Sequence, residues 1–478
     1  MGLVLAVPGI AGAAPKSAVV PCTGQPALVD AINAANAAGG GTLNLASGCT
    51  YQLTIADNGE NGLPVVVTPI AINGNGATVD GTGTVRDLEV DGPIGSLSTQ
   101  NLTLTGGFAG DFGGALANVG GTVVLNNTWV TNSSAGAAGG GIASATFDPS
   151  SVASLTLNKS WVTGNQQTLA SSPTNMALGG GGIVNLLGSL TLNGSTVNNN
   201  TAQGFVGGGI ANGDYFGFSS SASVLTLNNS AVNNNTAPNA GGGGVQNLLG
   251  TVTANSSTIN GNTSLNGGGI ASGNGTGGAN PPPCTAQINL NKSQVDGNTA
   301  TAPPPTGPGE PPIAAGGIAN GCNAVLNSTQ VDGNKASHTS GAGIVNHGTM
   351  TINKSEVNFN TAQGTNAFAS GGGIINVNAG GLTGATSSGI LTINNSVVNG
   401  NAAGGDGGGI ANGAVFGPTG GLPGGSVTMN QSQVIGNSAA HGGGIFTNGG
   451  SVTLSKTTVG PNTPDNCEPL NTIPGCTG

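Results

Sequence analysis

The chain has very few charged and aromatic side chains. Of its 478 residues, 5% are charged and 3% are aromatic, whereas an average globular domain has about 25% charged residues. This scarcity does not indicate disorder, because disordered chains combine low hydrophobicity with high net charge and 36% of this chain is hydrophobic. The 92 glycines cluster in runs, which excludes the collagen pattern of glycine at every third position.

Basic residues are the scarcer of the two charged classes. Lys and Arg together number 7 against 17 acids, and Arg86 is the sole arginine. Surfaces that follow nucleic-acid phosphates or bind anionic lipid need clustered Lys and Arg, so we expect no nucleic-acid partner and no attachment to an anionic membrane. Beyond the N-terminus no segment reaches the ~20 apolar residues of a membrane-spanning helix, so no transmembrane segment is expected.

The N-terminal segment and the cysteines predict an exported protein. Residues 1–14 form an apolar stretch typical of a signal peptide, with Ala11, Gly12 and Ala13 as the small-residue cleavage motif. Six cysteines suit an oxidising compartment. We expect three local disulfides, Cys22–Cys49, Cys284–Cys322 and Cys467–Cys476. No CxxC motif or Cys/His cluster indicates zinc. A monomer that is secreted or on the cell surface is expected.

Residues 113–462 contain eleven copies of one repeat. Each copy has a glycine run closed by an apolar residue, then an apolar-polar-apolar triplet, and an apolar residue seven positions after the triplet begins. That last residue, here called the ladder valine, is Val130, Val162, Val197, Val232, Ile259, Val295, Val331, Val357, Val398, Val434 or Val459. Because the spacing of seven never changes while length varies elsewhere, each repeat is one rigid unit with tolerant turns.

The repeat predicts strands. Its apolar residues alternate with Thr and Asn at period two, and Gly, Asn and Thr are poor helix formers. Stacking such coils gives a parallel β-helix of about fourteen coils, with apolar residues inward. An asparagine three residues after the ladder valine predicts a further stack. Its members are Asn165, Asn200, Asn235, Asn262, Asn298, Asn334, Asn360, Asn401, Asn437 and Asn462.

The two ends differ from the repeats. Pro26–Ala37 predicts the one convincing helix, which would cap the open end of the solenoid within residues 22–50. Residues 51–112 indicate less regular coils, and residues 463–478 indicate a C-terminal cap with a cystine loop.

The pattern GGGI-x-N followed by L-T-L-N-x-S-x-V-x-x-N resembles the polymorphic outer-membrane-protein-type repeat. That repeat belongs to right-handed parallel β-helix proteins of the pectate-lyase-like superfamily. The resemblance implies an all-β, single-stranded, right-handed parallel β-helix. It leaves function open, because the superfamily includes polysaccharide lyases, glycosidases, adhesins and autotransporter passengers.

The acidic residues offer one cluster, Asp87, Glu89 and Asp91. On a strand these three would share the outward face. Leu88 and Val90 would point inward, and Arg86 would lie on the face opposite to the three acids. We interpret the cluster as a solvated face, with a Ca²⁺ site as the alternative. The repeats carry at most one acid each, such as Asp296, Asp332 or Glu356, so no catalytic residue is predicted. The three histidines, His338, His347 and His441, are interpreted as polar turn residues.

Two features favour binding. Trp129 and Trp161 directly precede ladder valines of consecutive repeats, so they should be outward neighbours, as a stacking platform or stacked on each other. Long insertions at 143–154, 211–224, 271–287, 375–390 and 411–426 would line one edge and carry aromatic residues. These aromatics are Phe147, Tyr215, Phe216, Phe218 and Phe416, with loop anchoring as the alternative to binding.

The leading hypothesis is therefore a non-enzymatic surface or secreted protein that binds extracellular polysaccharide or another surface. It needs no cofactor, although Ca²⁺ is compatible with it. A polysaccharide lyase or glycoside hydrolase is the alternative. Outward Ser/Thr pairs such as Ser189 and Thr191 resemble ice-binding arrays, so ice binding or a structural spacer comes third.

Overall fold

The computed structural model describes residues 16–146, 151–169, 178–204, 206–214, 223–273, 284–303, 313–337, 339–364, 369–378, 389–415 and 421–477. The predicted signal segment at residues 1–14 lies outside these ranges. Within them, no helix is long and apolar enough to span a membrane.

The fold is a parallel β-helix, as predicted, and its coils repeat four kinds of strand. Each triplet forms a triplet strand, and fourteen successive parallel pairings join fifteen strands in one stack, close to the fourteen coils expected. Parallel crossovers in one sheet are almost always right-handed, in agreement with the predicted hand. The 20-stranded sheet also holds several strands that contain ladder valines, and it consists of Lys16–Val20, Gly41–Leu45, Thr50–Gln52, Pro69–Asp80, Ser96–Thr105, Thr122–Asn126, Trp129–Thr131, Ser154–Asn158, Trp161–Thr163, Ser189–Asn193, Thr196–Asn198, Val224–Asn228, Ala231–Asn233, Thr251–Asn255, Gln287–Asn291, Asn323–Asn327, Thr349–Asn353, Ile390–Asn394, Ser426–Asn430 and Ser451–Ser455.

Three further sheets complete the coils. The strands that follow the glycine runs are Leu88–Asp91, Leu116–Val119, Ile142–Ala145, Ile183–Leu186, Ile210–Gly213, Val245–Leu248, Ile270–Gly273, Ile318–Asn320, Ile344–Asn346, Ile374–Asn376, Ile410–Val415, Ile445–Thr447 and Cys467–Glu468, with Gly421–Pro423 antiparallel to one of them. The remaining strands around ladder valines are Gln330–Asp332, Glu356–Asn358, Val397–Asn399, Gln433–Ile435 and Thr458–Val459. The strands after the asparagine stack are Phe108–Ala109, Ser134–Ala135, Gln166–Gln167, Thr201–Ala202, Thr236–Gly241, Thr263–Asn266, Thr299–Ala300, Lys335–Ser337, Thr361–Gln363 and Ala402–Ala403.

The core consists of apolar stacks along the axis. In a representative coil Ile183, Leu190, Leu192 and Val197 all point inward and are fully buried. The predicted inward parity is therefore confirmed, and burial of these side chains drives folding. The glycine run permits close approach of neighbouring coils: a Cβ on Gly179, which has φ +78°, would overlap the carbonyl oxygen of Val206.

The asparagine stack is confirmed, but its role differs from the expected one. In nine of the ten coils the left-handed backbone belongs to the residue before the asparagine, such as Asn199 with φ 55° or Gly297 with φ 64°, whereas Pro461 precedes Asn462. The stacked asparagines are buried, apart from the half-buried Asn462, and hydrogen-bond across coils. For example, Asn200 Nδ2 donates to Asn235 Oδ1 at 3.0 Å, toward the C-terminal end.

A second asparagine stack, which sequence analysis did not predict, lies at the ends of the triplet strands. There Asn193 Nδ2 donates to Asn158 Oδ1 at 2.9 Å, toward the N-terminal end, and Asn228 Nδ2 donates to Asn193 Oδ1 at 3.0 Å. These side chains are half-buried on the outer surface. We call the two sets the inner and the outer asparagine ladder.

The N-terminal helix is also confirmed. It spans Gln25–Ala37, with proline at the first turn and Leu28, Ile32 and Ala35 buried against the first coils. All three predicted disulfides form, Cys22–Cys49, Cys284–Cys322 and Cys467–Cys476.

Candidate functional site

The predicted acidic cluster does not share one outward face. Leu88 and Val90 are buried as expected, but Asp87 is also fully buried. The strand begins only at Leu88, so residue 87 lies before the alternation starts. Burial, reinforced by the charge of Asp80, raises the pKa of the Asp87 carboxyl well above its usual value.

Arg86 is also placed differently from the prediction, because it contacts one of these acids. Its side chain is buried, and Nη1 donates to Glu89 Oε2 at 2.8 Å and to Asn61 Oδ1 at 2.6 Å. Nη2 pairs with Asp111, and Nε donates to the carbonyl oxygen of Gly113 at 3.0 Å. The guanidinium thus ties three chain segments together. With all its bonding directions used, it is a structural crosslink and is not available as a base.

The Ca²⁺ site considered for Asp87, Glu89 and Asp91 is not assembled. Glu89 is engaged by Arg86, Asp91 is exposed and Asp87 points into the interior. In the described part of the chain, no three His, Cys, Asp or Glu side chains are grouped so that they could hold a metal ion.

The two tryptophans are neighbours, as predicted, and the alternative of mutual stacking is the arrangement observed. Trp129 pairs with Trp161 in consecutive coils, with ring centroids 4.4 Å apart and planes 10° from parallel. Since these strands are neighbours along the axis, the rings cover each other's axial faces and turn their edges outward. A platform of two outward ring faces is therefore not formed.

The aromatic loop residues named above, Phe147, Tyr215, Phe216, Phe218 and Phe416, lie outside the described residues. Two apolar clusters are buried on the outer face of the strands that follow the glycine runs. In one, Val206 from the segment before a glycine run packs with Val184. In the other, Val377 and Leu422 from the described ends of the loops pack with Val345 and Ile375.

A polar groove of about 300 Å³ lies at the corner between the triplet strands and the ladder-valine strands. Three stacked coils supply its main side chains. One coil contributes Lys292 and Gln294, the next contributes Gln330, and the third contributes Lys354 and Glu356. Thr258 extends the groove toward the N-terminal end. Gln294 Nε2 donates to Gln330 Oε1 at 2.9 Å, which fixes the two amides along the axis. Serine hydroxyls complete the lining.

Lysine is concentrated at this corner. Lys159, Lys292, Lys354 and Lys456 occupy the same position in four coils, each exposed and each with φ between 47° and 51°. Asparagine or glycine, which tolerate positive φ, fill this position in coils such as those of Asn229 and Gly194. Among the described residues no ion pair involves these lysines. Their ammonium groups are therefore free to bind.

Acidic residues border the groove. Asp332 Oδ1 accepts a hydrogen bond from the amide nitrogen of Asn358 at 2.9 Å, and Asp296 Oδ1 accepts one from Asp332 at 3.0 Å. Partial burial, with the charges of Asp296 and Glu356, raises the pKa of Asp332 to about 6. Burial also raises the pKa of Asp296. The carboxyl with a pKa of about 6 therefore lies two residues after Gln330, beside the lysines, amides and hydroxyls that line the groove.

Two solved structures are similar to this chain in overall shape. The A-module of the mannuronan C-5 epimerase AlgE6 from Azotobacter vinelandii is 13% identical, with 92% of this chain and 96% of that one covered and a TM-score of 0.38. PfbA, a surface adhesin of Streptococcus pneumoniae, is 11% identical, with coverage of 94% and 93% and a TM-score of 0.37. No protein-family model and no curated protein matches the sequence. The type of repeat therefore stays a prediction, and similarity this distant assigns no function.

The histidines differ from one another. His347 is half-buried, and burial lowers the pKa of its ring to about 4, so the ring is neutral at physiological pH. His441 Nδ1 lies 3.5 Å from Glu468 Oε2 near the C-terminal cap, and His338 is outside the described residues.

Sequence analysis placed binding on the tryptophan pair and on the loop-bearing edge, and it did not predict the groove. The groove lies on the segment whose length never varies, between triplet and ladder valine. The sequence did contain a signal for it, because four of the chain's few lysines occupy the same position of the repeat, as the middle residue of NKS or SKT.

Proposed function

We propose that this protein is a non-enzymatic, extracellular glycan-binding protein of adhesin-like character, and that the polar groove is its binding site. The observation that carries the proposal is the set of unpaired lysines, paired glutamines and hydroxyls along three consecutive coils. Sugar hydroxyls need donors and acceptors at closely spaced positions. A rigid sheet supplies these with little ordering cost on binding.

Extracellular location is supported by the disulfides. All six cysteines are paired, and disulfides persist in oxidising compartments. Together with the predicted signal segment at residues 1–14, this supports secretion or display on the cell surface.

The test is retention on immobilised polysaccharides, compared between wild type and Lys292→Asn/Lys354→Asn. Asparagine is chosen because Asn229 and Asn395 occupy the same corner with positive φ, so the backbone need not change. Hydrogen bonds from charged groups contribute about 1.5–3 kcal/mol each, so affinity should fall about tenfold or more per lysine.

Lys456→Asn is the matched control, because it has the same backbone conformation outside the groove. Equal retention of wild type and the double variant would exclude the groove as the site. Failure of wild type to bind any polysaccharide would oppose the proposed function itself.

A glycoside hydrolase is the second candidate, favoured by one observation. With a pKa of about 6, Asp332 could donate a proton near neutral pH, and Glu356 in the adjacent coil would supply the second carboxyl group. Release of new reducing ends by wild type, and its loss in both Asp332→Asn and Glu356→Gln, would replace the binding proposal. Bound but uncut polysaccharide would support it.

A further inference from the structure

The groove belongs to a longer row of outward side chains. The residue directly before the ladder valine is paired in register from coil to coil, without a break, over eight coils. The row is Trp129, Trp161, Thr196, Ala231, Thr258, Gln294, Gln330 and Glu356. The tryptophan pair and the polar groove therefore lie on one line parallel to the solenoid axis.

Trp161 closes one end of this line. Trp129 covers one axial face of its ring, since the two indoles are stacked. The opposite face looks toward Thr196 in the next coil, which has a much smaller side chain. An indole face flanked by small residues leaves space for the end of a glycan chain to pack against it.

The surface between Trp161 and the groove carries small side chains. Thr196 and Ala231 are the two outward residues of the row there, and Gly194 occupies the adjoining corner. The spacing of seven from triplet to ladder valine holds in every repeat, so no insertion arises at this corner. We call the strip from the free face of Trp161 to Glu356 the lane.

We propose that the lane binds one linear glycan chain laid parallel to the solenoid axis, with the end of its terminal sugar packed against the free face of Trp161. From Thr196 to Glu356 the lane rises five coil steps, about 24 Å at ~4.8 Å per step. That rise per step is close to the advance of one sugar in an extended chain. Successive sugars would therefore meet equivalent positions on successive coils. This inference rests on the proposed glycan-binding function and adds the shape, orientation and end of the ligand.

Fluorescence can test the lane, because Trp129 and Trp161 are the only tryptophans in the chain. The probes are linear chito-oligosaccharides and cello-oligosaccharides, from disaccharide to octasaccharide, together with oligosaccharides cut from whichever linear polysaccharide the immobilised panel retains. We expect the tryptophan emission to change with every bound length. Affinity should rise with length until the lane is filled and then stay constant.

Two variants locate the ends of the lane. Trp161→Thr, which introduces the residue found at Thr103 and Thr196 in the same row, should weaken binding at least tenfold for all lengths. Lys354→Asn, six coils further along, should weaken binding of the octasaccharide at least fivefold and leave binding of the trisaccharide unchanged. Lys456→Asn should alter neither. Circular dichroism checks that each variant retains its fold.

The outcomes separate this inference from the proposed function. Retention of a polysaccharide with unchanged tryptophan emission, or with full affinity in Trp161→Thr, would overturn the lane while leaving glycan binding in place. Affinity independent of length would also overturn it. Failure of every immobilised polysaccharide to retain the wild type would overturn both.

Discussion

Replacing Asn298 by alanine tests how much the inner asparagine ladder contributes to stability. Asn298 is fully buried. Its Oδ1 accepts from the backbone nitrogen of Asn262 at 2.8 Å and from Asn262 Nδ2 at 3.0 Å. Its Nδ2 donates to the carbonyl oxygen of Ile259 at 2.8 Å and to Asn334 Oδ1 at 3.0 Å.

Alanine would leave two buried backbone groups without these partners, the N–H of Asn262 and the C=O of Ile259. Leaving a buried donor or acceptor unsatisfied costs about 1–3 kcal/mol. The expected loss in the free energy of unfolding is therefore about 4 kcal/mol for the pair. Because the ladder is repeated, the loss should be similar at other inner positions.

Asn291→Ala is the matched control, in the same coil but in the outer ladder. Asn291 also makes two amide contacts, with Asn255 and Asn327 at 3.0 Å each, but it is half-buried and water can replace them. We expect a loss below about 1 kcal/mol. Urea unfolding gives the global change, and hydrogen exchange at the Asn262 amide gives the local one, since solenoids can unfold in parts. A cost for Asn291→Ala equal to that of Asn298→Ala would refute the assignment of stability to the buried ladder.

Three further perturbations have defined outcomes. The raised pKa of Asp332, from 3.8 to about 6, means that the folded state binds this proton more tightly than the unfolded state, so stability should fall as pH rises from 4 to 6. In Asp332→Asn the decrease in the free energy of unfolding from pH 4 to pH 6 should be smaller by about 1 kcal/mol, a value reduced from that of the full pKa shift because the side chain is partly exposed. Unfolding at both pH values measures the difference. Arg86→Met should destabilise the N-terminal coils by about 3 kcal/mol, because it leaves Glu89 half-buried without its partner. Hydrogen exchange should show that loss near residue 61, and no change beyond residue 200. Replacing Cys22 and Cys49 by serine should cost about 3.5 kcal/mol from the 27-residue separation, as measured by thermal unfolding, and an unchanged transition would contradict the capping role.

The repeat could be predicted from sequence because its physical cause is local and is repeated eleven times. Inward parity at Leu190, Leu192 and Val197 follows from strand alternation and needs no distant contact. The helix at Gln25–Ala37 was likewise marked by its proline and its apolar face.

The candidate site was harder to predict, because it depends on which coils become neighbours and on where alternation begins. Asp87 precedes its strand, so parity placed it on the wrong side. Asp296, Asp332 and Glu356 were each dismissed as single acids, yet pairing in register places them in three consecutive coils. The expectation of a loop-borne site also drew attention away from the loop-free corner that holds Lys292 and Lys354.

The opposed directions of the two asparagine ladders have an electrostatic consequence. Every inner amide donates toward the C-terminal end, as Asn200 does to Asn235, and every outer amide donates toward the N-terminal end, as Asn193 does to Asn158. Aligned in a single direction, such side-chain dipoles would add along the axis and leave partial charges at the two ends. A third buried row of asparagines also donates toward the C-terminal end, as Asn185 does to Asn212 at 2.7 Å and Asn346 does to Asn376 at 2.8 Å. The outer ladder therefore offsets part of the side-chain dipole of the two buried rows, so each added coil contributes a smaller axial dipole than the buried rows alone would give.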